Sequence, residues 1–136
     1  MIQPINKNPL TLAQPARQAS PQDAAIIQDL KDTLAFHHAE CVGMAANMIG
    51  QPVAIIIAQL GPMAMPLVNP EITAQSGPYQ TEEGCLSLTG QRPTTRYHHI
   101  TVRYLDAQFQ VHTQTFSDYF GQIIQHECDH LKGILI

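Results

Sequence analysis

Residues 100–133, ITVRYLDAQFQVHTQTFSDYFGQIIQHECDHLKG, change hydrophobic period part-way along, and that change decides the fold class. Ile100-Thr101-Val102-Arg103-Tyr104 alternates in the manner of a half-buried strand, and Phe109, Val111, Thr113 and Thr115 alternate again. Asp106-Ala107-Gln108 between the two runs is short enough to close an antiparallel hairpin. From Ser117 and Asp118, which read as a helix start, Phe120, Ile123, Ile124 and Leu131 recur at helical spacing until Gly133 can terminate the helix.

Upstream, Val53 to Ile57 reads as a buried strand and Met65 to Val68 as a shorter one ending before Asn69-Pro70. Ser20-Pro21-Gln22-Asp23 starts a helix expected over about 20–39, with Ser20 as cap. Its buried stripe is Ile26, Ile27, Leu30 and Leu34, and its water-facing side is Asp29, Lys31 and Asp32. Strands flanked by two helices indicate an α+β fold. At 136 residues the chain is the size of one domain, 1–136.

Composition narrows the function. Seven Lys+Arg against eleven Asp+Glu leave a net charge of −4, which argues against a partner bound through a phosphate backbone, so no nucleic acid is expected. The apolar fraction is 44% and charged residues are 13%, which fits neither a disordered segment nor a solvated coiled coil. The longest mainly apolar stretch, 52–60, is too short to span a bilayer, and no membrane partner is expected. Three cysteines, Cys41, Cys85 and Cys128, make no disulfide framework and suit a reducing cytoplasm.

The chemistry concentrates in His126-Glu127-Cys128-Asp129-His130, an H-E-x-x-H pattern. Four-residue spacing on a helix places both imidazoles on one face, where both reach one divalent metal, and Glu127 beside them can take a proton from water. A catalytic site needs a third protein ligand. A third histidine in the extended H-E-x-x-H-x-x-G-x-x-H pattern would fall at position 136, which is Ile136. No acidic residue follows His130, so the ligand lies upstream, and Cys85 in Glu82-Glu83-Gly84-Cys85-Leu86-Ser87 is the candidate. Cys128 is rotated about 200° from His126 on the helix and reads as packing, and Cys41 as inert.

Three ordered segments resemble the peptide deformylase family: 41–50, CVGMAANMIG; 83–87, EGCLS; and 125–131, QHECDHL. Arg92 and Arg96 resemble arginines that follow the second segment. The resemblance implies an α+β fold with mixed or antiparallel sheets packed around the central H-E-x-x-H helix. It implies one divalent metal, Fe(II) natively with Zn or Ni as substitutes, held by Cys85, His126 and His130. Glu127 would act as general base and acid, and the N–H of Leu86 would steady the developing oxyanion. Gly43, Met48 and Arg92 would lie on the substrate side. The substrate would be a formylated nascent peptide in a bacterial cytoplasm, with the ribosome as a further family partner.

One departure matters. The family's oxyanion glutamine aligns with Met48, whose thioether cannot donate a hydrogen bond, and the first glycine of that segment is Cys41. Asn47 carries an amide one residue earlier but is expected to direct it elsewhere as a turn residue. A deformylase, a weakened deformylase-like protein that binds N-terminal peptides, and another metal-dependent amidase therefore stand as alternatives.

Overall fold

A computed structural model describes residues 1–135, so the expectation attached to Ile136 lies outside the described residues. Five strands follow one another in sequence order: β1 (Gly43–Ala45), β2 (Ile55–Leu60), β3 (Met63–Cys85), β4 (Leu88–Leu105) and β5 (Val111–Ser117). They form one sheet in the order β1-β2-β3-β4-β5, every neighbouring pair antiparallel. The helices are a short α1 (Pro9–Leu12), α2 (Ala24–Phe36) and α3 (Asp118–Leu131), with 3-10 turns at Pro21–Asp23 and Ala46–Ile49. The architecture is α+β with the H-E-x-x-H residues on α3, and a single antiparallel sheet replaces the expected choice of mixed or antiparallel sheets.

The expected hairpin of residues 100–115 is the β4–β5 pair, with Ile100 opposite Phe116 and Arg103 opposite Thr113. Phe109 is not in the strand. Its φ of 61° puts it in the turn, where its N–H donates to the Asp106 carbonyl. Asp106 holds this turn by accepting from the N–H groups of Gln108 and Gln110.

The largest departure is β3. The short strand at Met65 to Val68 does not stop at Asn69-Pro70 but continues for 23 residues to Cys85. Asn69 takes a left-handed φ of 49° and makes a bulge instead of a turn, marked by a register shift between Val68 and Glu71. Its side chain accepts from the Ala19 N–H at 2.7 Å and donates to the Ala19 carbonyl at 3.1 Å, which stitches the bulge to the N-terminal segment.

α2 is shorter than expected and begins after the 3-10 turn. Ser20 makes no side-chain cap. Asp23 orders the entry instead, accepting from the Ser20 N–H at 2.9 Å and pairing with Arg17 at 2.9 Å. Asp29, Lys31 and Asp32 are half-buried where water was expected; the Met1 amino group pairs with Asp29 and Asp32, and the Gln3 N–H donates to Thr33 Oγ1 at 3.0 Å. Likewise Ser117 stands at the start of α3, but its hydroxyl meets His99 Nδ1 at 2.9 Å and gives no cap. Gly133 terminates α3 as expected, at φ 77°, with its N–H donating to the His130 carbonyl.

Ile55, Ile56, Ile57 and Ala58 are all buried, so β2 is covered on both faces, and α2 and α3 are the helices packed against it. Leu30 and Leu34 of α2 and Ile123, Ile124 and Cys128 of α3 belong to the same core, which places Cys128 in packing as its helical angle implied. This core supports the inward face of α3. The β3–β4 hairpin brings Cys85 to that face.

Candidate metal centre and active site

α3 presents His126 and His130 one turn apart, and their Nε2 atoms face each other at 3.2 Å. The Sγ of Cys85, at the tip of the β3–β4 hairpin, lies 3.3 Å from His130 Nε2. All three donor atoms fall within 4.8 Å of one another. Ligands at about 2.0–2.3 Å from one tetrahedral ion stand roughly 3.3–3.6 Å apart, so this donor set fits a divalent metal. Thiolate and imidazole are also the donors that suit zinc and iron.

The surroundings fix which nitrogen of His126 is free. Glu83 accepts from Arg96 through three contacts of 2.6–3.1 Å, and from Gln122 Nε2 at 2.9 Å. Its carboxylate can only accept, so His126 Nδ1, 2.8 Å away, must donate to it. Nε2 is thereby turned toward Cys85 and His130, the carboxylate–histidine arrangement that orients metal ligands. Arg96 also donates to Asp129 at 2.7 Å, so one buried guanidinium ties β3, β4 and α3 together behind the site. Gln125 adds a second tie by accepting from the Tyr97 N–H and donating to the Tyr97 carbonyl, each at 2.9 Å.

Burial opposes ionisation of Glu83, but hydrogen bonds from His126, Arg96 and Gln122 outweigh it and hold its pKa at about 2. Burial likewise opposes charge on His126, yet Cys85 and Glu83 raise its pKa to about 10. His130 lacks such a partner; burial, His126 and Arg96 push it down to about 3. The proton that the raised pKa places on His126 Nε2 is the one a metal would replace, while His130 stays a neutral lone-pair donor.

Glu127 is 4% exposed, and burial lifts its carboxyl to about 7 despite the nearby charge of His126. Its Oε1 has no hydrogen-bond partner among the described residues. This is a carboxyl group able to both take and return a proton near neutrality. Gly43 makes room for it, because a Cβ at Gly43 would stand 2.9 Å from Glu127 Oε2 and 2.9 Å from Ile123 Cγ2.

A cavity of about 490 Å³ opens onto these groups, with Gly43, Met48, Cys85, Leu86, His126 and Glu127 on its walls. Arg92 is not among the lining residues; it sits opposite Glu83 in the strand register. Met48 is buried, and its sulfur accepts the Ala45 N–H at 3.4 Å. Asn47 points elsewhere, as expected, donating to the His130 carbonyl at 2.8 Å. Cys41 lines the cavity, donates to the Gly43 carbonyl at 2.7 Å, and is pushed up to about 12 by burial, so it is a protonated thiol.

Glu83, Gln122 and Asp129 belong to the site without a local sequence signal that assigns them, and Arg96 is marked in the sequence only by resemblance. Glu83 and Asp129 lie inside the quoted segments, but their partner Arg96 is supplied by another strand.

The family model for polypeptide deformylase matches residues 2–136. A peptide deformylase of Clostridium beijerinckii is 47% identical over 136 residues, covering 100% of both chains. One of Chlorobium luteolum is 35% identical over 146 residues, covering 99% of this chain and 76% of its own. Among solved structures, the peptide deformylase of Thermotoga maritima superposes with a TM-score of 0.89 at 25% identity, over 99% of this chain and 95% of that one. The actinonin-bound class I type b peptide deformylase of Acinetobacter baumannii gives 0.88 at 29% identity, over 99% and 95%. With a cysteine sulfur and two imidazoles converging beside a buried glutamate, and a match that runs the length of the chain, this protein belongs to the polypeptide deformylase family.

Proposed function

We propose that Cys85, His126 and His130 hold one divalent metal, Fe(II) in the native protein with Zn or Ni able to replace it, and that Glu127 moves the proton. The chain is a hydrolase that removes the formyl group from N-formyl-methionine peptides, and the family is metal-dependent. The observation that carries the residue assignment is the convergence of the three donors within 4.8 Å on the cavity that Glu127 also lines.

A bound divalent ion supplies Lewis acidity toward the formyl oxygen and makes water a better nucleophile. Glu127 takes a proton from the attacking water as the new C–O bond forms at the formyl carbon. It then returns that proton to the amide nitrogen as the C–N bond breaks, leaving formate and a free amine. A pKa of about 7 suits a group that must do both at neutral pH. The N–H of Leu86, next to Cys85 at the hairpin tip, is the backbone donor proposed for the developing oxyanion. Met48 and Asn47 add none, the first having only sulfur and the second being committed to His130. Gly43, Val42 and Ile123 offer the formyl-methionine side chain an apolar wall.

Glu83 and Arg96 keep His126 aimed, and neither touches substrate in this reading. The free thiols of Cys41, Cys85 and Cys128 support a reducing, cytoplasmic setting. Formate release from formyl-Met-Ala-Ser by Fe(II)-loaded protein tests the assignment, with acetylated and unblocked peptides as controls. Release from the formylated peptide alone is expected. Equal cleavage of the acetylated peptide would count against it.

A further inference from the structure

The two histidines of the metal centre are supported unequally. His126 Nδ1 donates to the Glu83 carboxylate at 2.8 Å, so its ring is aimed by a buried partner. His130 is completely buried, and its Nε2 lies 3.2 Å from His126 Nε2 and 3.3 Å from Cys85 Sγ. Its Nδ1 has no hydrogen-bond partner among the described residues. A histidine that offers its Nε2 lone pair to a metal carries its proton on Nδ1, and a buried N–H needs an acceptor.

One acceptor is already joined to the same residue. Asn47, in the 3-10 turn Ala46–Ile49, is 3% exposed, and its amide lies 2.8 Å from the His130 carbonyl. A carbonyl can only accept, so the atom facing it is Nδ2, and Oδ1 is the other end of that amide. This oxygen is buried and likewise has no hydrogen-bond partner among the described residues. The unpartnered donor and the unpartnered acceptor thus sit on two residues that one hydrogen bond holds together. Ser87 Oγ and Glu127 Oε1 are buried without partners too, but Ser87 stands on the β3–β4 hairpin, Glu127 turns its carboxyl toward Gly43, and neither side chain is bonded to His130. The turn that carries Asn47 is firmly held. Its backbone carbonyl accepts from Asn6 Nδ2 and from the Gly50 N–H, each at 3.1 Å, and the next carbonyl, that of Met48, accepts from the Asn6 N–H at 2.6 Å. A support for a metal ligand works only from such a fixed base.

Resting on the residue assignment above, we propose that Asn47 is the positioning residue of His130: its Oδ1 accepts the Nδ1–H of the metal-bound imidazole while its Nδ2 keeps hold of the His130 carbonyl. It does for His130 what Glu83 does for His126. One amide then fixes both the backbone and the ring of the same ligand. Asparagine suits the place because it offers a donor and an acceptor together and brings no further negative charge into a buried site that already holds Glu83 and Glu127. Asn47 touches neither substrate nor metal in this reading, and its effect is on metal retention through His130.

The test is the affinity of the full chain for Zn(II) and Co(II), measured by chelator competition in the wild type, Asn47→Leu, Asn47→Asp and His130→Ala. Leucine keeps the forked outline of asparagine and makes neither hydrogen bond, whereas an ionised aspartate accepts from an imidazole N–H but cannot donate to a carbonyl. Asn47→Leu should bind the ion about 10–100-fold more weakly, and Asn47→Asp should stay within about threefold of the wild type. A residue that merely ties the turn to α3 gives a different order, because that role needs the donor. Asn47→Asp as weak as Asn47→Leu, or Asn47→Leu at wild-type affinity, therefore overturns the proposal. A crystal structure of the zinc-loaded wild type provides a measurement that needs no variant to fold. Asn47 Oδ1 should lie within about 3.2 Å of His130 Nδ1, and a separation above about 4 Å, or another acceptor on that nitrogen, overturns the proposal as well. His130→Ala at wild-type affinity would instead strike the ligand assignment itself, so the two failures are told apart in one titration.

Discussion

Replacing Gly43 with alanine adds one methyl group where β1 faces Glu127 and Ile123 of α3. The backbone there is not left-handed, so alanine is conformationally acceptable and only the added atom matters. That atom would stand 2.9 Å from Glu127 Oε2, 2.9 Å from Ile123 Cγ2 and 3.2 Å from Glu127 Cγ. Ordinary contacts need about 3.5 Å or more, so the glutamate and the isoleucine must each yield roughly 0.6 Å. Overpacking of this kind costs about 1–3 kcal/mol, which for a chain of this length lowers Tm by about 3–10 °C. Moving a proton-transfer group by a large fraction of an ångström costs about 10–10²-fold in rate. Gly43→Ala should therefore keep its metal, melt a few degrees lower, and lose about 10–10²-fold in kcat/KM for formyl-Met-Ala-Ser. Thermal melting, metal analysis and formate release on one preparation check all three. Wild-type Tm together with wild-type turnover would refute the placement of Glu127 against β1. Metal loss would show that the added methyl displaces α3 as a whole and not the glutamate alone.

Cys85→Ser should bind the divalent ion far more weakly, measured by metal analysis after dialysis; full retention with unaltered coordination would remove Cys85 from the ligand set. Glu127→Ala should retain the metal and lose at least about 10²-fold in hydrolysis, since its carboxyl moves a proton and ligates nothing. Arg96→Met leaves the carboxylates of Glu83 and Asp129 without their cation, and should cost about 3–5 kcal/mol by denaturant unfolding while weakening metal binding through His126. Met48→Gln places an amide where a thioether now accepts from the Ala45 N–H, and should raise kcat by up to about 10²-fold; a variant that keeps its metal and gains nothing would mean the oxyanion is already fully served.

The amino-acid sequence by itself determined the features written in short range. The i, i+4 spacing of His126 and His130 places two imidazoles on one helical face whatever surrounds the helix. Alternation over residues 100–104 and 109–115, with Asp106-Ala107-Gln108 between them, specifies the β4–β5 hairpin except at Phe109, which falls in the turn, and Gly133 ends α3 because it alone accepts φ 77° at no steric cost. Cys85 and Glu127 were legible too, because their chemistry sits inside compact quoted segments. Only the tertiary structure decided the rest. Asn69-Pro70 has the composition of a turn, yet pairing with Ala19 and the long β3–β4 ladder absorbs it as a bulge in a 23-residue strand. Arg96 becomes the buried counter-ion of Glu83 and Asp129 because strand pairing and helix packing bring three separate segments within 3 Å, and no local period records that meeting. The need for glycine at position 43 is likewise invisible until β1 lies against Glu127, since it arises from an atom 84 residues away in the chain. Local geometry is carried by neighbours in sequence, whereas desolvation, close approach and counter-ion choice belong to neighbours in space.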